Sequence, residues 1–236
     1  MDRHVYAIGD IHGRDDLLEG IVAEIDEDCL ERGIASPLLV FLGDYIDRGP
    51  HARQVLDRLI RLESERDCRI LKGNHEEVVL QILDGLDVAL QPWLTRAGGI
   101  ETVRSYGWES GPVLLGKLIP QSHVQFLRRL LPIWETEACV FVHAGLRPER
   151  TIEQQSQRDL LWIREGFLDS DFDFGKLIVH GHTPTDDALP EIRTNRLNLD
   201  TDAHASGVLT CAAFEPGSRA PRFLRTGNDR KPAIRR

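Results

Sequence analysis

The sequence predicts an α/β domain built around a largely parallel sheet, and three observations carry that expectation. Short apolar runs alternate with amphipathic stretches three times over in the first third of the chain, the pattern of strand, loop and helix repeated. Five of the apolar runs stop at a small residue and are followed at once by Asp, Asn or His. No internal repeat, low-complexity tract or Pro/Gly/Ser-rich linker interrupts the 236 residues, so one core and one domain are expected.

Taken in order, Val5–Ile8 is a buried strand that delivers the loop Gly9–Arg14. A helix follows with Leu17, Leu18, Ile21, Val22, Ile25 and Cys29 at helical spacing, and Gly33 and Pro37 end it. Leu38–Leu42 is a second strand running into Gly43–Gly49, and Ala52–Leu62 is a helix striped by Val55, Leu56, Leu59 and Ile60. Arg69–Leu71 forms a third strand that delivers Gly73-Asn74-His75-Glu76, with a helix expected from Glu76 to about Leu86. The stretch Pro92–Gly111, rich in Gly and aromatic residues, reads as a cap beside the site, within a cap-like insert placed at about 87–120. Ser122–Leu131 is a further helix, and Ile133–Thr136 with Cys139–His143 makes a tight hairpin. Asp159–Arg164 is a short helix carrying Trp162, and Leu177–Val179 is a strand ending at His180-Gly181-His182. Glu191–Arg193, Leu197–Leu199, Val208–Phe214 and Arg222–Arg225 alternate with turns and suggest an antiparallel second sheet. The domain is placed at 1–226, and 227–236, with Arg230, Lys231, Arg235 and Arg236, is a basic tail.

A composition of 41% hydrophobic and 28% charged residues is that of a soluble globular protein. The formal charge of −9 argues against a nucleic-acid polymer or an anionic membrane as partner. It leaves phosphate substrates open, because metal ions and a few arginines reverse the sign locally. No apolar run reaches the roughly 20 residues of a membrane span, and a strand begins almost at Met1, where a leader would lie. Cys29, Cys68, Cys139 and Cys211 are scattered without paired spacing, as free thiols in a reducing compartment are. A cytoplasmic location is the expectation.

Loops at the carboxyl ends of parallel strands are where open α/β sheets place their ligands. Asp10 and His12, two residues apart in one such loop, are spaced to chelate one ion, and Asp44 leaves the neighbouring strand where a carboxylate can bridge two. Asn74, His143 and His182 would complete the shell of a second ion. Singly, Asp10 and Asn74 read equally well as turn or cap residues, and His143 and His182 as core histidines. Six such residues, each at the end of an apolar run, point to a common site.

Gly9–Gly13, Gly43–Gly49, Gly73–Glu76, His143–Gly145 and Gly181–His182 resemble, in kind, order and spacing, the five motifs of the phosphoprotein phosphatase family within the calcineurin-like metallophosphoesterases. The resemblance spans Gly9 to about Ala203 and is closest to the bacterial and phage-type Ser/Thr protein phosphatases. It implies a four-layer α/β/β/α sandwich with two divalent metal ions at the strand ends, manganese first and iron or zinc as alternatives. By position, Asp10, His12 and Asp44 match the ligands of the first ion, and Asp44, Asn74, His143 and His182 those of the second. Arg48 and Arg164 match the family's phosphate-binding arginines, His75 its general acid and Asp47 the carboxylate partner of that acid. The implied reaction is in-line attack of a metal-bridging hydroxide on a phosphomonoester, without a covalent phospho-enzyme.

The substrate implied is a phosphorylated protein or a small phosphoester. The alternative is a symmetrical diadenosine-tetraphosphate hydrolase, a branch with Ala in place of Asp47 and Asp in place of Glu76. Both positions here side with the protein phosphatases. Asp202 departs from the Gly expected there, in a position where a left-handed backbone would make Asp an awkward substitute. A non-catalytic scaffold would show gaps among these residues, and none is missing. His180 has no matching role, and His4, His51, His123 and His204 read as packing or surface histidines.

Overall fold

The computed structural model describes residues 3–227, so the basic tail placed at 227–236 lies, from 228 onward, outside the described residues. Two five-stranded sheets stack face to face with helices on their outer sides, the four-layer α/β/β/α arrangement. The first sheet has parallel strands β1 (Val5–Ile8), β2 (Leu38–Phe41) and β3 (Cys68–Ile70). It is extended on the other side of β1 by antiparallel β9 (Leu209–Phe214) and β10 (Arg222–Thr226). The second sheet runs β4 (Ile133–Glu135), β5 (Cys139–Val142), β6 (Leu177–His180), β8 (Arg196–Asn198) and β7 (Glu191–Ile192). Its three inner strands are parallel.

The alternation of side chains along each strand decides the layers. Val5, Ala7, Leu38 and Val40 face inward and pack with Phe141, Val179, Leu197 and Phe214 between the sheets. Tyr6, Ile8, Leu39 and Phe41 face outward and are covered by the helices of the first side. Val140, Val142 and Ile178 face the far side, against Leu160, Ile163 and Phe167. Each fully buried aliphatic or aromatic side chain contributes about 1.5–3 kcal/mol. A one-residue slip of a central strand would therefore exchange its two sets of buried contacts at once.

The helices follow the expected stripes. α1 (Asp15–Arg32) buries Leu17, Leu18, Ile21, Ile25 and Cys29 and stops at Gly33, whose φ of 66° is the left-handed cap that a side chain would resist. α2 (Ala52–Glu65) buries Val55, Leu56 and Leu59. α3 (Asn74–Leu83) starts two residues earlier and ends three earlier than the sequence suggests. Its first turn contains Asn74 and His75 because the Glu76 carboxylate, at the third helical position, accepts the Gly73 N–H at 2.9 Å. The stretch after it folds into α4 (Leu90–Arg96), α5 (Gly99–Ser105) and α6 (Leu115–Leu118), followed by α7 (Gln121–Arg128). α8 (Gln157–Trp162) starts two residues before the expected helix because Ser156 caps it, accepting the Asp159 N–H at 3.1 Å. α9 (Ala203–Ser206) is a single turn.

One expectation is corrected. The four C-terminal strands do not form an antiparallel second sheet: β7 and β8 join the second sheet, with β8 parallel to β6, while β9 and β10 join the first. β9 is buried along its whole length and carries apolar residues on both faces, so it needs cover on both sides. The place beside β1 supplies it. Among the described residues no helix is long and apolar enough to cross a membrane, and the four cysteines are free thiols.

Candidate metal and phosphate site

The carboxyl ends of β1, β2, β3, β5 and β6 lie at one edge of the sandwich, and each is followed by a polar residue of the site. Asp10 and His12 follow β1, Asp44 follows β2, and Asn74 and His75 follow β3. His143 and His182 follow β5 and β6. All are buried. The structure thus brings the predicted ligand residues to one place, although their segments lie up to 172 residues apart.

Asp44 is the hub. Its Oδ2 lies 3.4 Å from His12 Nε2 and 3.7 Å from His75 Nε2, and its Oδ1 lies 3.4 Å from His143 Nε2. Among the described residues, two triples place their ligand atoms within 4.8 Å of one another: His12 with Asp44 and His75, and Asp44 with His143 and His182. Asn74 Oδ1 sits between the last two rings, 2.8 Å from His143 Nε2 and 2.9 Å from His182 Nδ1. Asp10 stands slightly apart. Its Oδ2 accepts the His182 N–H at 3.0 Å, and its Oδ1 is buried without a donor. His75 occupies the place in the first triple that the sequence gives to Asp10.

These residues fit divalent cations on three grounds. His12 and His143 each donate Nδ1–H to a backbone carbonyl, Ile46 and Leu42 respectively, both at 2.9 Å. That fixes the tautomer and turns a bare Nε2 toward Asp44, the orientation a metal-binding imidazole takes. Burial holds the His12 and His143 pKa values down and pushes that of His182 to about 2, so the rings stay neutral. Neutral nitrogens, Asn74 Oδ1 and the Asp44 carboxylate then face one another as acceptors, an arrangement that calls for a shared cation. The orphaned Asp10 oxygen adds to that demand. Burial, with the charges of Asp200 and Asp44 beside it, raises the Asp10 pKa well above the carboxylate range, and a cation would relieve the same repulsion.

The second half of the site is an acid–base pair. His75 Nδ1 lies 2.6 Å from Asp47 Oδ2, with the ring 5% and the carboxylate 0% exposed. Asp47 is held by three further bonds: Trp93 Nε1 donates at 2.7 Å, Thr102 Oγ1 donates at 2.6 Å, and the Asp47 N–H donates back to Thr102 at 2.8 Å. Burial lowers the His75 pKa, but the charge of Asp44 and the hydrogen bond and charge of Asp47 outweigh it and raise the value to about 9. Arg48 Nη2 lies 3.4 Å from His75 Nε2, and Arg164 Nη2 donates to the His182 carbonyl at 3.3 Å. Both arginines line a cavity of about 300 Å³ together with Asn74, His75, Trp93, Trp162 and His182.

Holding this geometry costs backbone strain. Of eight non-Gly residues with positive φ among the described residues, six are His12, Asp44, Asp47, Arg48, His182 and Asp202. Each left-handed L-residue costs about 1–2 kcal/mol, and such strain gathers at functional sites. Asp202, with a φ of 55°, adopts the conformation that a Gly would take without strain. Close approach adds a second constraint: a Cβ on Gly73 would collide with the Asp44 side chain and backbone N, and one on Gly181 with Asp10 Oδ1.

Sequence reasoning missed three contributions. Glu76 accepts from the N–H groups of Gly73 and Asp44 at 2.9 Å, Tyr45 at 2.8 Å and Ile46 at 3.3 Å, so one carboxylate ties the loops after β2 and β3 together. The acid three residues after Gly73 was its visible signal. Trp93 and Thr102 bond Asp47 from 46 and 55 residues away, and no local pattern announces that. His204, expected to be ordinary, pairs with Asp202 at 2.8 Å and sets its ring edge-on to His12 at 5.7 Å. His180 is buried against Phe167 and takes no part in the cluster.

Comparison with known proteins identifies the family to which this fold belongs. The chain is similar over 234 residues, at 23% identity and 88% coverage of both chains, to bis(5'-nucleosyl)-tetraphosphatase PrpE [asymmetrical] of Halalkalibacterium halodurans. Over 96 residues, 41% of this chain and 39% of the other, it is 34% identical to serine/threonine-protein phosphatase 2 of Escherichia coli. A protein serine/threonine phosphatase from Saccharomyces cerevisiae shares the fold, with a TM-score of 0.58 at 15% identity, covering 99% of this chain and 82% of that one. The sequence profile described as calcineurin-like phosphoesterase matches residues 3–207, which takes in every strand-end residue of the cluster. The chain therefore belongs to the calcineurin-like phosphoesterase family, and is a hydrolase of that metallophosphoesterase class.

Proposed function

We propose that the protein is a dinuclear, metal-dependent phosphomonoesterase of the Ser/Thr protein phosphatase type, with manganese as the first candidate for its ions. The observation that carries this reading is the Asp47–His75 pair, 2.6 Å between Oδ2 and Nδ1, standing beside the Asp44 cluster and facing the same cavity as both arginines. Asp10, His12 and Asp44 would hold one ion, and Asp44, Asn74, His143 and His182 the second. When bound, two such cations supply charge that lowers the pKa of a nucleophilic water and offsets that of the phosphate.

The chain's own residues account for the remaining steps. Arg48 and Arg164 bind and orient the phosphoryl oxygens, which a planar guanidinium can grip with two charge-assisted bonds. His75, whose pKa the Asp47 carboxylate raises, gives its Nε2 proton to the departing alkoxide oxygen. Asp47 fixes the ring by holding Nδ1–H, and Trp93 and Thr102 donate to its oxygens and fix the carboxylate in turn. Bound cations would cancel the contribution of Asp44 to the His75 pKa. The contribution of Asp47 is independent of them, and this is the physical reason for reading Asp47 as the partner of an acid.

A second reading, hydrolysis of dinucleoside tetraphosphates, is favoured by the relatives of that name that match along 88% of both chains. One experiment separates the two. A metal-free preparation reconstituted with Mn²⁺ is assayed for kcat/KM on phosphoserine and phosphothreonine peptides and on diadenosine tetraphosphate. The protein-phosphatase reading expects the peptides to be preferred. A clear preference for the dinucleotide replaces it with the second reading, and absence of metal-dependent turnover on either substrate removes both.

A further inference from the structure

The cavity at the strand ends does not close on the side of α8. A groove of about 790 Å³ continues from it, sharing Trp162 and Arg164 as common walls and running on past Arg158, Arg147 and Gln81. Trp162 stands 44% exposed at the junction, with its ring edge-on to His182 at 6.2 Å. Arg158 and Trp162 are four residues apart on α8 and so project from one face of the helix.

The charges of this groove sort into spent and unspent. Asp159 is taken by Arg147 at 2.6 Å and by Arg150 at 3.7 Å, and Glu77 is taken by Lys72 at 3.1 Å. Glu165 is the one acid of the lining without an ion pair among the described residues. Against it stand Arg164, whose side chain bonds only the His182 carbonyl, and Arg158, whose exposed side chain has no ion pair or hydrogen bond, among the described residues. The lining is formally balanced, Arg147, Arg158 and Arg164 against Glu77, Asp159 and Glu165, but with the ion-paired groups set aside Arg158 and Arg164 face Glu165 alone. An exposed cation that stabilises nothing in its own fold, on the wall of a groove leading from the phosphate cavity, is placed to meet a ligand's charge.

We propose that this groove is an anion subsite in which Arg158 binds the carboxylate of an acidic residue flanking the phosphorylated residue of a peptide substrate. The inference rests on the protein-phosphatase reading and adds to it a class of substrate: phosphopeptides with Asp or Glu near the phosphate. Arg158 lies four helical residues, roughly 6 Å, before Trp162, and Arg164 lies two residues beyond the end of α8, so the two are roughly 6–12 Å apart along the groove. An extended peptide covers that span in about two to four residues. The acidic side chain is therefore expected two to four positions from the phosphorylated one, with the aliphatic part of the intervening residue against Trp162.

The test compares phosphopeptides of one sequence carrying Glu, Gln or Lys three positions from phosphoserine, on either side, in the wild type, Arg158→Gln and Arg158→Glu. Every kcat/KM is taken as a ratio to that for p-nitrophenyl phosphate, which is too short to reach the groove. In the wild type, Glu is expected to be preferred over Lys by about tenfold, mostly through KM, and the preference is expected to weaken with salt. Arg158→Gln is expected to remove the preference and Arg158→Glu to reverse it. Wild-type turnover of phosphopeptides without regard to flanking charge, or a preference that survives Arg158→Glu, overturns this inference and leaves the protein-phosphatase reading standing. A wild type that hydrolyses diadenosine tetraphosphate and no phosphopeptide overturns both.

Discussion

His75 and His182 line the same cavity, 5% and 6% exposed, and are held in opposite protonation states. The His75 pKa is raised to about 9, that of His182 pushed down to about 2. Burial acts on both in the same direction, so it cannot be the cause of the difference. The partners are. His75 has a dedicated carboxylate at 2.6 Å, itself braced by an indole and a hydroxyl. His182 turns Nδ1 to an amide oxygen and shares the charge of Asp44 with three other rings. On the proposed reading, His75 gives up a proton and His182 offers a lone pair.

If that division is right, breaking each half has a distinct signature. The largest effect is expected from Asp44→Asn, which removes the hub of both triples: bound metal, by elemental analysis, and turnover should fall together. Full metal occupancy in that variant would count against the hub. Next in size is His75→Asn. General acids contribute about 10²–10⁴-fold, so kcat on an alkyl phosphate should drop by that order while metal content stays near the wild-type value. Comparable turnover would end the general-acid role.

Thr102→Val sharpens the comparison with a smaller change. Loss of both bonds between Thr102 and Asp47 should loosen the pair and lower the His75 pKa. The proton-donating form is lost as pH rises through that pKa, so the alkaline limb of kcat/KM should move to lower pH while kcat at pH 6 changes only a few-fold. An unmoved limb would show that the limb does not report His75.

The smallest expected effect is on stability, measured by urea unfolding of ion-free protein against pH. A histidine with a raised folded pKa stabilises fully below its unfolded value of about 6.5 and loses that contribution as pH climbs through the folded value. For His75, raised to about 9, the loss runs from about 6.5 to 9. His180 and His182, lowered to about 3 and about 2, act in the other direction: they destabilise as pH falls below about 6.5, where the unfolded chain takes up protons that the fold refuses. His75→Asn should flatten the decline between about pH 6.5 and 9 by on the order of 1–3 kcal/mol. A decline as steep in the variant would place its origin elsewhere.

The two halves also differ in how much of them was written locally in the sequence. Asp10, His12, Asp44, Asn74, His143 and His182 were legible because each follows a short apolar strand, and parallel strands deliver their loops to one edge. The bracing of Asp47 was not legible, since Trp93 and Thr102 sit on helices whose approach to the sheet is a matter of tertiary packing. The same holds for sheet membership. β9 has a clear strand pattern, but its pairing with β1 crosses about two hundred residues, and nothing local distinguishes that pairing from one within the second sheet. The start of α3 lay between: Glu76 was noticed as a discriminator, while its reach back to Gly73 was not.

Glu76 has one more consequence. Its carboxylate joins the loops after β2 and β3 through four backbone N–H groups, so the frame around Asp44 and Asn74 is tied by the protein itself. A frame tied in this way does not have to be reassembled each time an ion leaves. On the proposed reading, one divalent cation would be exchanged for another without refolding these two loops. The loops would behave as a socket, already wired before anything is plugged in.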